Sequence, residues 1–233
     1  LDHSGYIPSF VSMTDARTHE RKEIENIPMK KGDVLVFDRG YTDYKFYASL
    51  CRKDIYFVSR LKKNADFEVL MNKDVSKYMN IGYDQQIILS GYYSEKKCPN
   101  KLRIIESYDP ETNKKITLLT NHHSWSPETI AAIYKDRWQI EIFFKAIKQN
   151  LQIKSFYGTS ENAVLTQIWI SMITYLLLKY LAYASSEGWT VGQLMAVIPI
   201  LLFLQKDIWL ILNKLKIDPS RYAENPLQLE FNL

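Results

Sequence analysis

Five side chains between Tyr134 and Lys148 have the types and the spacing to act on a phosphodiester: Tyr134, Arg137, Glu141, Lys145 and Lys148. On a helix turning roughly 100° per residue, these five fall within an arc of about 80°. Ile133, Ile140, Phe143, Phe144, Ile147 and Leu151 lie mainly on the other side. A plain amphipathic helix with a solvated face is the bland reading of such a pattern. A face built for solubility, however, mixes acids and bases in i,i+4 pairs, whereas this one sets Tyr, Arg and two Lys around a single acid. A carboxylate ringed by phosphate-binding cations is what metal-assisted phosphoryl transfer on DNA requires, the acid holding Mg²⁺ and the cations holding the strand.

A second acid stands where such chemistry needs one. Asp33-Val-Leu-Val-Phe37 is apolar and β-branched, as in a buried central strand, and stops at Asp38-Arg39-Gly40. Asp38 is thereby placed at the C-terminal edge of a strand. Thr42 to Cys51 reads as a helix with Thr42 or Asp43 as N-cap, and Ile55 to Arg60 as another buried strand. Strand, helix, strand in this order predicts an α/β core.

Around these elements the chain divides by character. Residues 1–64 form the first part of the core, with a turn at Asp2 to Gly5, a strand over Tyr6 to Thr14 and a helix over His19 to Asn26. Residues 65–122 are β-rich, with strands at Gln85 to Leu89, Leu102 to Tyr108 and Lys115 to Thr120. Residues 123–184 carry the helix with the five polar residues and a core-packing helix. The first of these starts at Ser126-Pro127-Glu128, a hydroxyl N-cap, a proline at N1 and an acid at the positive end of the dipole. Residues 185–233 form a helical region, broken at Ser185 to Gly188 and around Pro199, with a polar tail after Asp218.

Composition bounds the function classes. With 233 residues and 46% hydrophobic content the chain can bury a real core. A net charge of +4 suits a nucleic-acid partner and many others. Cys51 and Cys98 lack a close-spaced pair or a His cluster, which argues against a disulfide framework or a zinc site and for a reduced cytoplasmic setting. The apolar run from Ala163 to Leu178 contains Thr166, Gln167, Ser171 and Thr174 and meets Lys179 before spanning length, so it reads as a buried core helix. The opening Leu-Asp-His-Ser-Gly has no initiator Met and reads like the middle of a domain, so the chain is expected to be a fragment.

Tyr134, Arg137, Glu141 and Lys148 reproduce the Y-x2-R-x3-E-x6-K signature of insertion-sequence transposases of the IS-four type, and the surrounding string IYKDRWQIEIFFKAIKQNLQIKSFYGTSENAV resembles that family throughout. Asp38 in VLVFDRGY is similar to the family's second catalytic aspartate, and residues 65–122 resemble its β-rich insertion. The resemblance runs from Leu1 to about Tyr183. It implies an α/β fold with an RNase H-like core, incomplete at its N-terminus, a β-rich insertion and a helical C-terminal part. It also implies a DDE transposase that cleaves DNA and transfers strands with Mg²⁺, for which Mn²⁺ would substitute. Asp38 and Glu141 would be catalytic metal ligands. Tyr134, Arg137 and Lys148, with Lys145 and Arg39 as weaker additions, would hold double-stranded transposon-end DNA. Target DNA and a second copy in a homodimeric synaptic complex are the implied partners, and a prokaryotic cytoplasm the implied setting.

The family's first catalytic aspartate belongs on an opening strand that this chain does not contain. Asp2 sits in a turn and Asp15 in a loop register, so neither is a natural replacement. The expectation is a catalytic-domain fragment inactive by itself; a non-catalytic DNA-binding remnant is the alternative, and a resolvase-like nuclease fits the spacing less well. His122 and His123 read as a surface loop, and Trp125 as a core or hinge residue that could also stack on a base. Trp138, Trp169, Trp189 and Trp209 read as core, and Lys62 and Lys63 as a solvated strand end or part of a DNA path.

Overall fold

The computed structural model describes residues 1–3, 5–13, 26–110, 113–150, 157–158, 160–201 and 207–213. It resolves into two compact units, Leu1–Ile140 and Glu141–Leu233.

The first unit is built on a six-stranded mixed sheet of order β1-β2-β6-β5-β4-β3. Its strands are β1 (Val34–Val36), β2 (Tyr56–Arg60), β3 (Phe67–Asn72), β4 (Ile81–Leu89), β5 (Leu102–Asp109) and β6 (Lys114–Thr120). β1 and β2 pair in parallel through α1 (Tyr44–Arg52), and every other pairing is antiparallel. The four strands of residues 65–122 thus continue the sheet that β1 and β2 begin, β6 joining β2 with Val58 opposite Thr120.

Period-two alternation divides the core between the two faces of this sheet. Phe57, Ile104 and Leu119 point into one cluster with Phe37, Tyr47 and Leu50, while their neighbours Val58, Ile105 and Leu118 join Ile130 and Tyr134 in the other. α1 therefore covers one face and α3 (Pro127–Lys135) the other. The predicted caps form: Asp43 accepts from Lys45 N and Phe46 N, and Ser126 accepts from Thr129 N ahead of Pro127. A short helix, α2 (Tyr92–Lys97), follows β4.

Several expectations need correction. No strand forms over Tyr6 to Met13; a lone antiparallel bridge joins Asp2 and Ile7, because β-forming residues make a ladder only where a partner strand is available. The helix expected over His19 to Asn26 lies, all but Asn26, outside the described residues, as do Leu151 and the tail after Asp218. Pro199, expected at a break, lies inside α6 (Val191–Leu201), two residues before its last residue.

The second unit is helical: α4 (Gln139–Asn150, its first two residues in the first unit), α5 (Glu161–Ala184), α6 and α7 (Ile208–Leu212). Trp189 anchors a small core with Leu178, Leu194 and Leu212, its indole N–H donating to the Leu212 carbonyl at 2.7 Å. Phe143 of α4 meets Tyr175 of α5 edge-on at 4.9 Å. The apolar run read as a buried core helix is longer and barer than expected: α5 has 24 residues, passes Lys179, and buries 22% of its most apolar window. By length and composition it could cross a membrane, and Trp169, Ile173, Leu176 and Tyr180 are among its exposed residues.

Candidate active site

Asp38 follows β1 in extended conformation (φ −77°, ψ 161°), and its Oδ1 accepts the Arg39 N–H at 2.7 Å, capping the 3-10 turn Arg39–Tyr41. The half-buried carboxylate is thereby held at the edge of the sheet. From the facing helix α3, the Tyr134 hydroxyl donates toward the same Oδ1 at 3.5 Å, long for an O–H···O bond. Tyr134 is 6% exposed and packs with Val58, Ile105 and Ile130, so its ring belongs to the core while its hydroxyl reaches the acid. Burial raises the phenol pKa above its ordinary value; Arg137 lowers it, Asp38 raises it and Arg60 lowers it, in falling order. The Arg137 guanidinium carbon lies 5.7 Å from the Tyr134 ring centroid. Tyr134, 96 positions after Asp38, thus reaches it, and Arg137 lies against the Tyr134 ring.

The signature stretch is not one uninterrupted helix. A 3-10 turn, Asp136–Trp138, separates α3 from α4. A 3-10 turn advances about 120° per residue, so a uniform 100° projection does not carry across it. Asp136 in this turn pairs with His3 Nε2 at 2.5 Å. Trp138, expected in the core, is 57% exposed, and Trp169 and Phe144 are likewise exposed, because apolar type alone does not say which side of a helix meets a partner. Trp189 is buried and Trp209 half-buried, as expected. Glu141 opens the second unit half-buried, and Lys145 and Lys148 are exposed on α4.

Arg39 lies beside Asp38 and lines an open cleft of about 360 Å³ with Gly40, Lys62, Lys63 and Asn64. For a divalent metal, Asp38 offers the hard oxygen donor that Mg²⁺ takes, and Glu141 has the same donor chemistry. Among the described residues no group of three His, Cys, Asp or Glu could hold a metal ion.

One constellation escaped sequence reasoning. Arg103 on β5 is 1% exposed and Asp84 on β4 3%. Arg103 Nε and Nη2 donate to Asp84 Oδ1 and Oδ2 at 2.7 and 2.6 Å, and Nη1 donates to the His122 and Trp125 carbonyls at 3.0 and 2.8 Å. His122 is correspondingly buried, not a surface-loop residue: its ring stacks on Trp125 at 3.9 Å and meets Tyr56 at 4.2 Å, and its Nδ1 accepts the Trp125 N–H. Burial, then Arg103, lowers the His122 pKa. This network fixes the connection from which α3 starts toward Asp38. Its signal is nearly invisible in sequence, because an acid and an arginine 19 residues apart meet only once the β4–β5 register is known.

Known proteins decide what this arrangement belongs to. The family model for the transposase DDE domain matches residues 1–177. The chain belongs to this transposase family. It is 31% identical over 231 residues to a Sinorhizobium fredii protein named as the transposase y4zB, covering 96% of this chain and 64% of that protein. It is 29% identical over 185 residues to a Geobacillus stearothermophilus protein named as a transposase for insertion sequence element IS5377, covering 77% and 48%. With a Synechocystis protein named as a transposase for insertion sequence element IS4SA it shares 31% identity over 189 residues, covering 79% and 52%. The chain therefore spans about half to two-thirds of the length of these bacterial relatives.

Proposed function

We propose that this chain is part of the catalytic domain of a transposase that cuts DNA at transposon ends and joins it to a target, on an RNase H-like core in which residues 65–122 are an insertion. What supports the reading is that Tyr134, the first residue of the Y-x2-R-x3-E-x6-K signature, directs its hydroxyl to Asp38 at the end of a core strand, with Arg137 of the same signature against the Tyr134 ring. Asp38 and Glu141 would supply carboxylate oxygens to Mg²⁺, or to Mn²⁺ in its place. The metal supplies Lewis acidity at the phosphate and a nucleophilic water or DNA 3′-hydroxyl. Arg137 clamps phosphate oxygens through its guanidinium fork, while Lys145, Lys148 and Arg39 act as point or fork charges along the strand. Tyr134, buried to its hydroxyl, bears on Asp38 and on whatever phosphate lies there. The reaction would run in the cytoplasm of a prokaryotic cell, with transposon-end and target duplexes and a second copy of the protein as partners.

Two carboxylates are few for a hard cation, so the chain alone is expected to bind transposon-end DNA and nick it poorly. The second reading is a DNA-binding domain without cleavage. Gel assays of duplex nicking with Mg²⁺ or Mn²⁺ test both. Whatever cleavage occurs disappears in Asp38→Asn and in Glu141→Gln, while Arg137→Ala and Lys148→Ala weaken DNA binding. Cleavage that persists in both acid variants, or binding unchanged in both cation variants, overturns the assignment.

A further inference from the structure

We infer that the open edge of β3 is a self-association surface, on which β3 of a second copy of this chain adds as an antiparallel strand. The association needs no DNA and stands apart from the catalytic reading. Of the sheet's two edges, β1 has three half-buried residues, whereas β3 has six, of which Glu68 to Asn72 are exposed. Val69 and Leu70 are each 45% exposed and Met71 52%. An apolar run on an unpaired edge, with no proline or lysine inside it, is what edge strands ordinarily avoid, because it is a template for further pairing.

The register follows from which backbone groups face outward. The Asp66 carbonyl accepts from Ser90 N and Lys73 N donates to the Asp84 carbonyl, so these two residues bond toward β4. Bonding direction alternates along an antiparallel strand. The N–H and C=O of Val69, three residues after Asp66, and of Asn72, one before Lys73, therefore turn to the open edge. Setting Val69 opposite Asn72 of the second copy makes two such pairs about a two-fold axis between Leu70 and Met71, each exchanging both backbone bonds. The register irregularity between Val69 and Met71 then faces its own image. The same arrangement sets Glu68 opposite Lys73 of the second copy, twice by symmetry. Glu68 pairs with Ile88 and Lys73 bonds to Asp84, an even number of residues apart on β4, so both side chains lie on one face of the sheet. Lys73 donates to the His123 carbonyl at 2.8 Å, and an ammonium has two further N–H bonds to give a carboxylate. Opposite charges directly across a strand pair attract. An acid before the apolar run and a base after it make β3 complementary to itself reversed, which singles out a second copy as the strand that fits.

The test is sedimentation equilibrium of the full chain without DNA, from about 1 to about 100 µM, with thermal melts alongside. A reversible monomer–dimer equilibrium is expected. Glu68→Lys is expected to weaken it about tenfold by setting like charges across both pairs, and Glu68→Lys/Lys73→Glu to recover it relative to the single variant. Val69→Pro removes an N–H that faces away from β4, so it is expected to weaken the dimer by about tenfold or more at a melting temperature close to the parent's. A monomer at every concentration overturns the inference. So does a dimer equally strong in Glu68→Lys and Val69→Pro, which would put the contact elsewhere, as on the exposed residues of α5. Failure of the catalytic reading looks different: nicking with Mg²⁺ or Mn²⁺ is absent while the DNA-free dimer persists.

Discussion

Replacing Arg103 with Met tests how the start of α3 is held. The substitution keeps the apolar stem but strips four hydrogen bonds, two to Asp84 and one each to the His122 and Trp125 carbonyls. It leaves a carboxylate that is 3% exposed with its counter-charge removed. Removing one partner of a buried ion pair costs about 3–5 kcal/mol, and each lost carbonyl bond about 1 kcal/mol more. The expected loss is thus about 5–7 kcal/mol, comparable with the whole stability of a modest domain. Urea unfolding followed by far-UV circular dichroism reads it directly. Asp84→Leu/Arg103→Met is the control: with both charges gone, only the carbonyls remain unsatisfied, and the loss should shrink to about 2 kcal/mol. A single variant within 1 kcal/mol of the parent, or a double variant no more stable than the single, would refute the view that this pair anchors the connection to α3.

Other outcomes follow from the same geometry. Burial lowers the folded-state pKa of His122 and of His123. The unfolded chain therefore takes up protons first, and stability present above about pH 6.5 is lost as pH falls below it; His122→Asn, which keeps an acceptor for the Trp125 N–H, should flatten that decline, and an unchanged pH profile would contradict it. Trp138→Ser should leave the thermal midpoint nearly unchanged because the ring is 57% exposed, whereas Trp189→Ala, 5% exposed, should cost about 3–5 kcal/mol; equal losses would be the contrary result. Tyr134→Phe should cost under about 1 kcal/mol in chemical denaturation, since it removes a 3.5 Å contact and leaves the ring packed; a loss several times larger would mean the hydroxyl holds α3 in place.

How much was legible beforehand depends on the range of the interaction. Asp38 at a strand edge, the Ser126–Pro127 helix start and the Asp43 cap were readable because capping and strand ends are decided by neighbours a few residues away. The burial of helix faces was less readable. Apolar type predicted a core Trp138 and a buried core helix from Ala163 to Leu178, yet Trp138 is exposed and α5 buries only 22% of its most apolar window, since periodicity identifies a stripe without naming what packs on it. The strand over Tyr6 to Met13 failed for the related reason that β-propensity expresses itself only in a ladder.

By itself the sequence determined the chemistry on offer: an acid after a β-branched run, and a Tyr, an Arg, a Glu and two Lys at helical spacing, all set by covalent order and local backbone preference. Tertiary structure alone decided that β6 joins β2, that Asp84 meets Arg103, and that Tyr134 crosses 96 residues of chain to reach Asp38. Those contacts depend on strand register and on the face of the sheet that α3 covers, which are settled by packing the whole core at once.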